Sequence, residues 1–243
     1  AWMIAALTAW IVIAMPAVLL LDEPAATPAA GRGAARELGA SVRAVLSTRS
    51  LWIGLVFALL SAAGFEATGQ LAGPFLVDRG VGTATIGWFF GLDVVTAMLT
   101  GGLIGGRLSD RWGRRRSVAV FLAGFVAAIL LVAAADRAGA PAPAHLALLA
   151  VMYVFVGLFT AASYALFMDL TLPRLAGTQF SAFMAATNGC ESWSALAGGR
   201  IAAAAGYPAA FLVMSLVSLC SLPLLARLRP SGSRPGRVEG RGI

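Results

Sequence analysis

Apolar residues run through this chain in long blocks, and the polar ones gather in the gaps. Seven blocks reach the roughly 20 residues that a helix needs to cross a bilayer. They cover 1–21, 51–73, 84–106, 117–135, 144–168, 178–199 and 207–226. The block at 1–21 has the apolarity of a secretion signal but neither a basic leading region nor a start methionine, so it reads as a span. The chain is then expected to begin partway through a longer protein.

The gaps set the organisation. Segment 22–50 opens with Asp22, Glu23 and Pro24 and runs on through Ala, Pro and Gly, as a flexible linker does. From Ala34 to Thr48 it turns helical, with Leu38, Val42, Val45 and Leu46 on one face and Arg36 and Arg43 among the polar positions. That pattern suits either a helix lying on the membrane surface or an ordinary linker helix. The remaining gaps are short, which gathers 51–226 into one six-helix bundle. The tail, 227–243, is rich in Arg, Gly, Pro and Ser and reads as disordered and drawn to anionic headgroups.

Composition agrees with lipid as the solvent. Hydrophobic residues make up 59% of the chain and charged ones 12%, against about 25% charged in soluble domains. A soluble enzyme and a disordered segment are both excluded. The net charge of +7 raises the question of nucleic acid, but the arginines bunch between apolar blocks instead of lining one polar face. All the cations are Arg. Basic loops stay cytoplasmic, and alternating the spans leaves only Arg79, Arg137 and Arg200 on the other side. The C-terminus is therefore expected in the cytoplasm.

Charge inside a span costs roughly 2.5–3.5 kcal/mol at its centre, so each case asks for a role. Glu66 lies in the second span, Asp93 in the third and Glu191 in the sixth. Gln70 follows Glu66 by four residues and Asn188 precedes Glu191 by three, which places each on its acid's helical face. These five are the candidate substrate or proton path, with protons as the coupling ion and no other cofactor. The alternative is a set of interhelical hydrogen-bond partners. Glu66, nearer the outer end, is the one placed to reach the interface. Gly101, Gly102, Gly105 and Gly106 form two overlapping small-residue pairs for close helix contact, and Gly198 and Gly199 close the sixth span. Tyr153 and Tyr164 read as core rings, His145 as a surface residue and Cys190 and Cys220 as small buried hydrophobes. No metal-ligand spacing, phosphate loop or nucleophile arrangement is present.

The most specific stretch is Gly106-Arg107-Leu108-Ser109-Asp110-Arg111-Trp112-Gly113-Arg114-Arg115-Arg116. Here Gly106 is expected to permit close helix contact, Gly113 a tight turn, and Asp110 a pairing with Arg. This loop resembles the G-x-L-x-D-R-x-G-R-R signature of major facilitator superfamily transporters, which recurs between their helices 2–3 and 8–9. The resemblance implies an all-α integral membrane fold of seven transmembrane helices. The first matches helix 6, and a six-helix C-terminal half follows. The partners it implies are the lipid bilayer, a small-molecule substrate and an N-terminal half lying outside this sequence.

On the same resemblance, Gly106, Asp110, Arg111, Gly113, Arg114 and Arg115 form a conformational latch. Gly73-Pro74-Phe75-Leu76-Val77-Asp78 with Ile86-Gly87, and Thr178-Gln179-Phe180 with Gly206-Tyr207-Pro208, are similar to the muropeptide permease-like and acetyl-CoA-type carriers. The function implied is proton-coupled uptake of a peptide, muropeptide, siderophore or similar solute in the bacterial inner membrane, by a transporter and not an enzyme. The alternatives are a drug or lipid exporter of the same fold, or a non-transporting scaffold or receptor.

Overall fold

The structure, a computed structural model, describes residues 8–9, 12–13, 49–172 and 175–228. Residues 8–9 and 12–13 are helical and exposed. The rest of the predicted span 1–21, the linker with its amphipathic helix up to residue 48, Arg174, and the tail from 229 onward lie outside the described residues.

From residue 49 onward the described chain is helical. The helices are α1 (Arg49–Asp78), α2 (Thr83–Trp112), α3 (Arg114–Arg137), α4 (Ala142–Leu170), α5 (Ala176–Ala205) and α6 (Tyr207–Arg227). Among the described residues, five helices are long and apolar enough to cross a membrane, all but α5. With its 30 residues α5 is as long as the longest of them. It carries Gln179, Asn188, Glu191, Ser192, Ser194 and Arg200, and that polarity lowers its hydropathy.

Packing divides the bundle into two sets of contacts. Helix α4 lies against α2 and α3, while α1 lies against α5 and α6, and α6 also packs on α3. Phenylalanines knit the sets together. The Phe65, Phe125 and Phe159 rings, from α1, α3 and α4, meet edge to face at 5.3–6.1 Å. Phe167 of α4 stacks on Phe183 of α5 at 4.8 Å and meets Phe57 of α1 at 6.4 Å. Such pairs add about 0.5–1.5 kcal/mol beyond area burial.

Helix α1 is interrupted at Ala62, where φ is −86° and ψ −9°. Leu59 O accepts from Trp193 Nε1 at 2.9 Å, and Gly64 N–H donates to Ser218 Oγ at 2.8 Å. Side chains of α5 and α6 thus hold two backbone groups beside the break. Helix α2 contains a wider π turn over Phe89–Asp93, a feature often found at functional sites.

The small residues divide by what they face. A Cβ on Gly101 would run into the Val154 carbonyl, and one on Gly157 into the Met98 carbonyl. One on Gly105 would lie 2.7 Å from Leu158 Cα. The predicted pair Gly101 and Gly105 is therefore the α2–α4 contact. Gly106 faces open space, which corrects its expected role in close contact: it has turned about one helical step away from α4. Likewise Gly198 meets Ala67 whereas Gly199 meets nothing. Cys190 is buried as expected, but Cys220 is exposed on the outer surface of α6.

Overpacking a close contact costs about 1–3 kcal/mol. Gly101→Ala or Gly157→Ala is therefore expected to lower the thermal unfolding temperature in detergent. Gly106→Ala should leave it unchanged.

Candidate functional site

A cavity of about 410 Å³ opens between α1, α2, α4 and α5. Helix α1 contributes Phe65, Glu66, Gly69 and Gln70, α2 Phe90 and Met98, and α5 Thr187. Helix α4 contributes Tyr153, Val156, Phe159, Thr160, Ser163, Tyr164 and Phe167. The break in α1 helps to place the acid, because Glu66 falls in the first turn of the stretch Ala63–Asp78.

Gln70 Nε2 donates to Glu191 Oε1 at 3.2 Å and so ties α1 to α5. Glu191 is also near enough to act electrostatically on Glu66. Glu66, Gln70 and Glu191 thus form one polar group beside a ring-lined wall. Glu66 is half-buried along the cavity, not extended toward an interface as its sequence position suggested. Asn188 is exposed one turn before Glu191, and its carbonyl accepts from Ser192 Oγ at 2.9 Å.

Asp93 lies elsewhere. It borders a separate groove between α2 and α4 with Thr85, Trp88, Thr96 and Thr100. The structure does not bring it together with the other two acids. Thr96 Oγ1 donates to the Leu92 and Asp93 carbonyls and Thr100 Oγ1 to the Thr96 carbonyl, extending a polar stripe along α2.

Tyr153 is a core ring as expected and also lines the cavity, as does the more exposed Tyr164. The signal was available. Positions 153, 156, 160, 163 and 167 recur every three or four residues and mark one face of α4.

At the Arg-rich end, Gly113 joins α2 to α3 with φ +85°, a conformation that favours glycine. Arg114, next in the chain, ties three helices. Its Nη1 lies 2.6 Å from Asp110 Oδ1 and 3.4 Å from Ser109 Oγ on α2. Its Nε reaches Asp169 Oδ2 on α4 at 3.4 Å. Ser117 Oγ on α3 adds a bond to the Leu108 carbonyl at 3.4 Å. Sequence reading missed Ser109 and Asp169; an acid at the last turn of a span facing an Arg run was the available clue for the second. Arg115 is part-buried, and its Nε and Nη2 have no hydrogen-bond partner among the described residues. Arg111 is exposed.

The opposite end is tied as well. Arg79 grips Asp136 through Nε at 2.5 Å and Nη2 at 2.8 Å. That bond raises the guanidinium's pKa above its already high ordinary value. A base with a raised pKa keeps its contribution below that value and loses it only as pH rises through it, so the guanidinium stays charged through neutral pH. Tyr207 OH donates to Asp78 Oδ2 at 2.7 Å, joining the end of α1 to the start of α6. Gln179 Oε1 accepts from Leu172 N–H at 2.6 Å. His145, expected at the surface, is buried against Phe75, its Nε2 3.9 Å from Asp136 Oδ1. The short turn between α3 and α4 folds it inward.

These features define a helical membrane bundle built around an amphipathic cavity, with charged ties at both ends. The Major Facilitator Superfamily model matches residues 69–242, and the chain belongs to that family. The family is one of transporters, not enzymes. The 3-(3-hydroxy-phenyl)propionate transporter of Escherichia coli (strain K12) is 30% identical over 187 residues. The match covers 75% of this chain and 44% of that relative, so the chain spans less than half the relative's length.

Exposed ion pairs contribute about 0–1 kcal/mol, and Asp110 is 66% exposed in its side chain. Asp110→Ala is therefore expected to change unfolding stability by less than about 1 kcal/mol. Arg114→Ala, which loses three partners on two helices, should cost more in the same chemical-denaturation measurement.

Proposed function

We propose that the chain forms half of a secondary active transporter that carries a small organic solute by alternating access, with protons as the coupling ion. The observation that carries this reading is the cavity. A ring-lined wall faces Glu66 and Gln70, and the bond from Gln70 to Glu191 bridges α1 and α5 inside the membrane-spanning bundle. A carboxylate in such a place can exchange a proton as helices move around it, and the break in α1 puts irregular backbone at the same depth.

A second six-helix half, preceding these residues in the same protein, would close the open side of the cavity. Its presence fits a relative more than twice as long as the matched region. Arg114 with Ser109, Asp110 and Asp169 serves as a latch that holds α2, α3 and α4 in one state and opens in the other. In this proposal the Arg-rich end faces the cytoplasm of a bacterial inner membrane. Asp93 belongs to the polar stripe of α2, outside the proton path.

Among solutes, a compact aromatic one is favoured over a peptide, muropeptide or siderophore. The cavity is lined with rings, and the similar protein of Escherichia coli is named for an aromatic propionate.

The test uses membrane vesicles carrying the full-length protein. Glu66→Gln together with Glu191→Gln is expected to abolish uptake driven by a proton gradient. Gradient-driven uptake that survives both changes would sink the coupling proposal. Asp110→Ala is expected to slow uptake about tenfold, roughly 1.4 kcal/mol on the transport barrier; unaltered uptake would remove the latch.

A further inference from the structure

The polar atoms around the cavity fall into two groups. Gln70 and Glu191 bond each other, Ser163 Oγ donates to the Thr160 carbonyl and Thr187 Oγ1 to the Met184 carbonyl. Three remain open. The Glu66 carboxylate and the Tyr153 and Tyr164 hydroxyls line the cavity, and none of them makes a hydrogen bond with any described residue. They come from two helices, α1 and α4, and border one space. Phe65, Phe90, Phe159 and Phe167 supply rings to its walls.

Charge narrows the choice. No Arg or His is among the residues that line the cavity. Arg79 is already engaged by Asp136 at the end of the bundle. An anionic end placed here would face Glu66 and the nearby Glu191 with no cation to offset them. The Glu66 carboxylate can only accept, while each tyrosine hydroxyl can donate or accept, so a head that donates to Glu66 meets the end that has no other choice.

We propose that this cavity binds a small aromatic solute through a hydrogen-bond-donating head, a hydroxyl or an ammonium, turned onto Glu66 with Tyr153 and Tyr164 beside it. Any carboxylate of the solute points away from this half. The proposal deepens the transporter reading and rests on it for the cavity's use. Selectivity follows from the open ends, because a ligand lacking the donor leaves them unmet.

The experiment measures equilibrium binding to the full-length protein in lipid nanodiscs, which requires no transport. Four probes share a similar body: 3-ethylphenol, its methyl ether, 2-phenylethylamine and 3-phenylpropionate. The phenol is expected to bind at least tenfold tighter than the ether, and the amine at least tenfold tighter than the propionate at the same pH. Whichever of phenol and amine binds tighter identifies the head. Glu66→Gln should shrink the gap between amine and propionate to within about threefold, and Glu66→Asp should keep most of it. Should Glu66→Gln fail to fold, Tyr153→Phe with Tyr164→Phe decides, with the phenol expected to lose several-fold affinity.

Propionate binding best, ether matching phenol, or no binding by any probe would overturn the proposal. The expected binding order without flux in vesicles would overturn the transporter reading alone. Gradient-driven flux of another solute, with no binding of these probes, would overturn the substrate class alone.

Discussion

A helix that breaks inside a membrane leaves backbone groups with no water to turn to, and each unmet group there costs several kcal/mol. Helix α1 breaks at Ala62, and the break is held by Trp193 from α5 and Ser218 from α6. Much else depends on this repair. It fixes α5 and α6 against α1, and Gly64 provides the close approach, with Ser218 Oγ 3.1 Å from where a Cβ would stand. It also begins a new helical stretch just before Glu66, so the acid enters the cavity in a first turn. The polar chemistry of the bundle is therefore tied to a defect in its main chain.

The two ends of the bundle are held by different means. At the Arg-rich end a single residue, Arg114, reaches two helices through exposed or part-exposed pairs. Pairs of that kind are individually weak and easily exchanged with water. At the other end the Asp136 side chain is only 5% exposed and accepts both arms of Arg79, while Tyr207 closes on Asp78. A bidentate, largely buried pair has a more demanding geometry than a solvated one. The end with the weaker ties is the one better suited to opening, which agrees with a latch at Arg114.

How much of this was legible in the sequence depends on the kind of information needed. Helix positions were plain, because length and apolarity alone define them; the predicted block 117–135 lies within α3, Arg114–Arg137. The latch loop was legible too, since a turn, an acid and a run of Arg are local features. Helical phase was harder. In blocks apolar on every side, nothing marks which face looks inward, so Asp93 and Glu191 looked equivalent by depth, yet Asp93 borders the α2–α4 groove while Glu191 bonds Gln70 of α1. Gly101 and Gly106 looked interchangeable for the same reason, until α4 was seen to touch only one of them. His145 was misread because its burial comes from Phe75, seventy residues earlier in the chain and packed against it in space.

Phase explains why the most polar helix is also the most informative. Lipid tolerates little polarity on a surface it touches, so a 30-residue helix bearing Asn188, Glu191, Ser192 and Arg200 needs somewhere other than lipid to put them. Inside the bundle α5 already gives Gln179, Phe183, Cys190, Ser194 and Gly198 to packing, while Asn188, Glu191, Ser192 and Arg200 remain exposed. Ser192 and Ser194 bond to backbone carbonyls of their own helix, which lowers the cost of those two alone. Glu191 lowers its own cost by bonding Gln70 at the cavity edge. Asn188 and Arg200 have no such relief along the helix. Arg200 stands near the helix end, about half a turn around from Glu191, where it can reach the interface; the face of Asn188 adjoins Glu191 and calls for water or further protein.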